Sequence, residues 1–586
     1  MSSPRTPGVY VKEVPSGSRV IAGAGTSVVA FMGFARCGPT EPTRVRSWQE
    51  FTDVYKPAPI PKAFSHPNRP NKVIGGFTVG QDFYLAGATT TETLIHKCDL
   101  TAGVIEGGQG IKSLFVAFPD SFQPSDVSIY GNTRFYFLKG LKCAAASQPS
   151  SSSYDQIDIS ASSWLGGGPT GFTDNWDAAA ADSQGKVYVF KGDSCIEGNR
   201  WSWCGWSGTK KIAERFPWVP AEFHSGLDGA VVLDGVLYLF KGQKTVQAVL
   251  TGVLADAVFG YFANGGGPCY ITRIPTIKPD GTSALSKAEI LQCFTGTSTV
   301  YPGAGLAGLE GMGEVTMVTA PDVWSIPGVT KDEVKPVQQA MAKHCAKMGN
   351  RMAILDPPKD TKPEDAAAYP GHLGLPKAYQ PFAALYYPWV EVAGLQGEEC
   401  LVPPSGHVAG VWCRTDERRG VHKAPANEAL AAVTALEKVL SDTDQAGLNP
   451  VGVNCLRSFT GEGIVVWGAR TLSDTDDWRY LNVRRLVNFI SASIKNGTTW
   501  AVFEPNDERL RASLRTSATV FLTGLWRDGA LKGHTVQEAF YVICDQSNNR
   551  PETIAAGTVV CDIGLAAVRP AEFVHFTLTQ KTATSS

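Results

Sequence analysis

The rhythm of apolar and polar positions changes several times along this chain. Residues 8–14 (Gly-Val-Tyr-Val-Lys-Glu-Val) alternate with period two and predict a strand; residues 28–34 read as a buried one. A proline-rich stretch at 57–70 predicts a loop. Val315–Ala320 predicts a strand, followed by Thr330 and Glu333 at capping-box spacing. Behind that box Val334, Val337, Met341, Cys345 and Met348 fall on one helical face, and Met352–Leu355 is a second strand. This β–α–β order predicts a parallel layer with a right-handed crossover. Farther on, Tyr480, Val483, Val487, Ile490 and Ile494 mark a helix over 477–496, and Trp500–Phe503 predicts a short strand. Pro505–Glu508 opens another helix with acids at its positive end and a face of Leu510, Leu514, Ala518, Phe521 and Leu525. Strands are predicted at 539–544, 558–565 and 573–579; in the last, Val574, Phe576 and Leu578 share a face.

A repeat interrupts this pattern. Phe135–Gly140, Val187–Gly192 and Leu237–Gly242 share the form apolar-Tyr-apolar-apolar-Lys-Gly, with Tyr136, Tyr188 and Tyr238 spaced 52 and 50 residues apart. Asp126, Asp177 and Asp228 precede them by ten or eleven residues. The motif resembles the hemopexin repeat, whose units are blades of a small four-bladed β-propeller. A blade cannot bury both of its faces alone, so blades close radially. A fourth copy is indistinct, with residues 88–99 able to supply part of it. In the hemopexin family the strand-start acids lie near a central channel; here the simpler expectation for the three aspartates is turn capping. Joining Phe83–Ala86 to Ala257–Phe262 would make one amphipathic helix, which places the propeller as an insertion at 87–255.

The remaining chain carries a second resemblance. Thr6–Gly17, Gly25–Phe34, Phe262–Tyr270, Pro403–Val411, Arg419–Asn427, Asn449–Asn454, Val466–Thr471, Trp478–Arg485, Phe503–Asp507 and Arg569–Phe573 follow one another as in contractile phage-type tail sheath proteins. The resemblance implies a mixed α+β and α/β multidomain sheath core with the hemopexin-like propeller inserted. Its parts would be an N-terminal arm and first core segment (1–86), the outward-facing propeller (87–255), a middle α/β domain (256–400) and a tube-proximal C-terminal domain with its own arm (401–586). It also implies a structural role. Subunits would form hexameric rings in a helical stack around an inner tube protein, with baseplate and terminator or cap proteins at the ends, and contraction would drive the tube through a target envelope. Arms carrying Val9, Tyr10, Val11 and Val14 at one end and Val574, Phe576 and Leu578 at the other would add strands to neighbouring subunits, a mode that the strand-like ends support. Gly17, Gly23 and Gly25 would let the first arm bend.

Composition narrows the alternatives. Of 586 residues, 18% are charged and 61 are glycine and 37 proline, so the chain is loop-rich and poor in charge, as covered surfaces are. The net charge of −2 implies no general attraction to nucleic acid. No run of eighteen apolar residues predicts a membrane span, and the first residues lack the apolar stretch of a signal peptide. Assembly in the bacterial cytoplasm, as part of a phage tail or a released tail-like particle, is the expectation. The thirteen cysteines include no C-x-x-C and suggest thiols in a reducing compartment.

Enzymatic readings fail on spacing. Gly23-x-Gly25 leads into a strand and lacks a third glycine, Asn264–Gly267 lacks the Gly-Lys-Ser/Thr of a phosphate loop, and Pro404–His407 is not a nucleophile elbow. No catalysis, cofactor or metal is expected. Residues 470–535 hold ten Lys/Arg against seven Asp/Glu, and Arg509, Arg511 and Arg515 are candidates for contact with an acidic tube. The competing reading is a display platform whose propeller binds a surface glycan or a protein; excising the insert would discriminate, since a sheath should still assemble.

Overall fold

A computed structural model describes residues 20–573, apart from 56–63, 65, 67, 80–81, 89–92, 101–103, 116–127, 131–134, 140–141, 147–154, 159–171, 173–175, 182–185, 200–207, 217–218, 234–235, 249–251, 280–283 and 396–398. Its central strands are apolar on both sides. In Val29–Gly33, Val29 and Phe31 enter one core while Ala30 and Met32 enter another. Met352–Leu355 splits the same way, with Met352 and Ile354 opposite Ala353 and Leu355. Strands with no polar face need cover on both sides, the condition of a parallel sheet between helices.

That sheet has nine strands, in the order 43–45, 269–273, 29–33, 317–319, 352–355, 383–387, 453–459, 463–466, 428–429. The six from 269–273 to 453–459 are parallel, and the outer strands on each side run antiparallel. The predicted β–α–β unit is present: Met317–Thr319 and Met352–Leu355 are parallel neighbours joined by the helix Lys331–Met348. Its capping box forms, with Thr330 and Glu333 bonding each other's backbone amides. The parallel layer extends through residue 459, well beyond the expected boundary at 400, because Val453–Phe459 is a member of it.

One face is covered by helices that include Lys331–Met348 and Pro363–Leu373, and the other by Leu254–Ala263 and Ser405–Arg419. The last two cross at glycines. A Cβ on Gly406 would lie 2.5 Å from the Ala257 carbonyl, and one on Gly410 2.4 Å from that of Tyr261. The segment Pro403–Val411, a mark of the sheath resemblance, therefore has a packing reason for its small residues.

Between residues 55 and 252 the chain builds a separate β-rich unit. Four antiparallel meanders follow one another: 73–79, 82–88, 93–99 and 104–105; 128–130, 135–139, 142–146 and 155–158; 178–181, 186–191, 194–199 and 210–211; and 229–233, 236–241 and 244–247. The first strands of successive meanders lie against one another. This corrects the expected helix: Asp82–Ala88 is a strand paired with Thr93–Asp99, and Leu254–Ala263 is a helix on its own. Short runs of small apolar residues carry no period long enough to separate the two.

The C-terminal layer packs Leu481–Gly497 and Glu508–Arg527 against the two-stranded sheet Phe540–Ile543 and Asp562–Leu565. Trp500–Phe503 is not a strand. Thr499–Ala501 is a single 3₁₀ turn, and Phe503 is fully exposed with φ +69°. The first helix is buried on more than the predicted face, since Asn482, Arg485 and Leu486 are also inside.

Candidate assembly surface

The sheet Phe540–Ile543/Asp562–Leu565 pairs Phe540 with Leu565 and Ile543 with Asp562, and among the described residues neither strand has a second neighbour. Phe540 anchors it in a core with Leu486, Ile490 and Leu522. On the other side Tyr541 is 56% exposed and lies over its partner Gly564, where a Cβ would fall 2.1 Å from the ring. Unpaired strand edges present rows of free amides and carbonyls and are templates for another chain.

Both ends of the described chain leave from this same layer. At the N-terminal side, Ile21 packs against Gly497, the Ala24 amide donates to Ser493 Oγ at 2.9 Å, and Val20 is exposed. Gly23 and Gly25, expected to bend, lie in this docked segment with Gly23 on the Phe489 ring, and neither has a positive φ. At the C-terminal side, Asn482 Nδ2 donates to the Val568 carbonyl at 2.9 Å, and Arg470 forms a two-point ion pair with Glu572, its Nε at 2.9 Å. Phe573 is exposed. The strand-arm residues Val9, Tyr10, Val11, Val14, Val574, Phe576 and Leu578, and Gly17, lie outside the described residues.

One buried ion pair ties this layer to the central sheet. Arg485 donates through Nη1 and Nη2 to the two carboxylate oxygens of Asp416, at 2.9 and 2.5 Å, and its guanidinium stacks on Trp412. Arg485 also reaches the Thr26 carbonyl, and Ser27 Oγ donates to Asp416, so the pair fastens the N-terminal segment as well.

Comparison with known proteins bears on this arrangement directly. The phage tail sheath protein central domain matches residues 306–472 and the phage tail sheath C-terminal domain matches residues 473–581. A chain of the anti-feeding prophage baseplate is 31% identical, with 57% of this chain and 82% of that chain aligned at a TM-score of 0.46. The chain belongs to the phage tail sheath family. The tail sheath protein of Vibrio phage KVP40 is 28% identical over 189 residues, covering 32% of this chain and 27% of the relative, so the chain spans about a quarter of that relative's length. The helical sheath of the anti-feeding prophage in its contracted state aligns with 99% of this chain and 100% of that one, at 21% identity and a TM-score of 0.51, which shows a shared fold. A hemopexin-fold protein from cow pea aligns with 30% of this chain and 85% of that one at a TM-score of 0.26, too low to assign the fold. The sheath family is structural and not enzymatic.

Set in the sheath fold, the remaining expected positions separate clearly. Arg509 is exposed. Arg511 is not available to a tube: it is 5% exposed and held by Glu508 and Asn506. Arg515 is half-buried and donates to the Cys544 carbonyl at 3.3 Å. In the outer unit, Asp177 accepts from the Gly192 amide and Asp228 from the Gly242 amide, both at 2.6 Å. The two glycines have φ +59° and +55°. In these two copies the Asp caps the turn that the Lys-Gly makes. Tyr238 is buried and accepts from Arg36 at 2.5 Å, while Tyr188 is half-buried. Asp126 lies outside the described residues, and Tyr136 is described only as part of the strand Phe135–Lys139. Among the described residues no cluster of His, Cys, Asp or Glu could hold a metal ion, and no helix is long and apolar enough to cross a membrane.

Spacing did not reveal Asp416, Arg470 or Glu572. Arg470, Arg485 and Glu572 did lie within the Val466–Thr471, Trp478–Arg485 and Arg569–Phe573 resemblances, but their pairings span 102 residues for Arg470–Glu572 and 69 for Arg485–Asp416.

Proposed function

We propose that this chain is the repeating subunit of a contractile sheath, stacked as hexameric rings in a helical array around an inner tube and joined at its ends to baseplate and cap proteins. The observation that carries this reading is the open-edged sheet of 540–543 and 562–565 in the layer from which both chain ends depart. Arms containing Val9–Val14 and Val574–Leu578 would add to such edges on neighbouring subunits. Main-chain hydrogen bonds supply the affinity, and side-chain pockets set the register. Contraction would then be a rigid-body rearrangement of subunits linked by those strands, with the energy stored in the assembly and no nucleotide hydrolysed. Assembly would take place in the bacterial cytoplasm, before the phage tail or tail-like particle is released.

The β-rich unit is read as a four-bladed propeller over about residues 64–248, a wider span than 87–255. Its four meanders and their mutually packed first strands support this, and it would point outward from the ring. Exposed Arg509, with the accessible part of Arg515, would face the acidic tube. Charge reversal at these two positions should weaken co-assembly with the tube; unchanged co-assembly would remove that contact.

Cryo-electron microscopy of the purified full chain tests the reading as a whole. Tubes of stacked six-subunit rings with outward knobs are expected. A monodisperse chain at every concentration would count against it.

A further inference from the structure

The two strands of the C-terminal sheet end at the pair Ile543 and Asp562, and the next residue along each is a cysteine, Cys544 and Cys561. One more step of the same register sets these cysteines opposite each other. Directly opposed residues in an antiparallel ladder have Cα atoms about 4.5–5.5 Å apart, inside the span of about 4.4–6.8 Å that a disulfide bridges. Both thiols are free.

The surroundings hold the pair ready. Buried Asn549 clamps the mouth of the intervening loop, accepting from the Val560 amide at 2.7 Å and donating to the Val560 and Asp545 carbonyls at 2.8 and 3.1 Å. The Cys561 hydrogen bond, opposed by burial and helped by the charges of Arg515 and Arg511, holds the Cys544 thiol below its usual range. The hydrogen bond to Cys544, then burial, pushes Cys561 up. Cys544 is buried and Cys561 is partly exposed, so a small reagent reaches Cys561 first.

We propose that Cys544 and Cys561 form a thiol–disulfide site, closed by a low-molecular-weight disulfide of the glutathione class into an intrachain bond across the loop 545–560. The Cys544 thiolate takes the Cys561 proton as the Cys561 sulfur attacks one sulfur of the oxidant. A Cys561–S bond forms, the oxidant's S–S bond breaks, and the first thiolate leaves and takes a proton from solvent. Cys544 then attacks the Cys561 sulfur, and its proton goes to the second departing thiolate. Two protein thiols become one disulfide, and one small disulfide becomes two thiols. The bond would fasten the mouth of the open-edged sheet when the chain passes from reducing to oxidising surroundings.

The test uses the full chain, purified reduced and equilibrated with mixtures of oxidised and reduced glutathione, then acid-quenched, alkylated and mapped by mass spectrometry. The expected product is a peptide pair linked through Cys544 and Cys561, with an oxidation equilibrium constant at least about tenfold above that of the same chain in urea, because the native fold holds the sulfurs together. Cys544→Ser should trap glutathione on Cys561. Recovery of both cysteines in alkylated form, or of a Cys561 adduct that never resolves in the unsubstituted chain, would overturn the proposal.

Discussion

Asp416 and Arg485 form a buried ion pair at the domain junction. Both are almost wholly inside, at 3% and 4% side-chain exposure, and they fasten the 481–497 helix, the 405–419 helix and the entering N-terminal segment at one point. Removing one partner of such a pair leaves a buried charge unanswered, at a cost of about 3–5 kcal/mol. Asp416→Ala should therefore lower the unfolding free energy of the chain by about that amount in a urea titration; a change below about 1 kcal/mol would show that the junction is held elsewhere. His407 supplies a pH signature. Burial lowers its pKa to about 4, from an ordinary value of 6.5. A histidine held neutral contributes stability that is present above about 6.5 and lost as pH falls toward 4, because the unfolded chain binds the proton more readily. The stability difference between the unsubstituted chain and His407→Gln should shift toward the variant by up to about 3 kcal/mol over that window, read from thermal or urea unfolding at stepped pH. A pH-independent difference would contradict the burial of a neutral ring. Neither role was legible from spacing, because burial and a partner 69 residues away are products of the fold.

Elements with a sustained period were the legible ones. The 331–348 helix, its capping box and its flanking strands follow from a face repeated over four turns and a cap whose chemistry is local. The errors fell where the signal was short or the burial many-sided. Phe83–Ala86 is four residues, too few to tell a strand from a helix. The 481–497 helix is enclosed on several sides, so one apolar stripe under-describes it. In the crossing of 254–263 with 405–419, Gly406 and Gly410 lie within the Pro403–Val411 resemblance, and the structure gives their small size a cause: backbone approaching backbone. Gly410→Ala should cost about 1–3 kcal/mol through overpacking, measured by denaturant unfolding, while a substitution at exposed Gly447 should cost well under that. Equal effects at the two sites would mean that the crossing has room to spare.

At the scale of the whole molecule, the scarcity of charge, 18% of residues, fits a subunit whose surface is covered by its neighbours. The sheath resemblance was legible because its motifs lie in one order along the chain. The extent of the β-rich unit was not, since its first meander at 73–105 lacks the Tyr-apolar-apolar-Lys-Gly signature and joins the others through strand pairing and the core that Val73, Phe83 and Leu85 share with Val231 and Tyr238. The central claim is that the chain polymerises through its terminal arms. Its most direct test is electron microscopy of the chain lacking residues 1–20, beside the full chain at the same concentration. The truncated chain should be a folded monomer where the full chain builds tubes; tubes of normal length from the truncated chain would contradict the account.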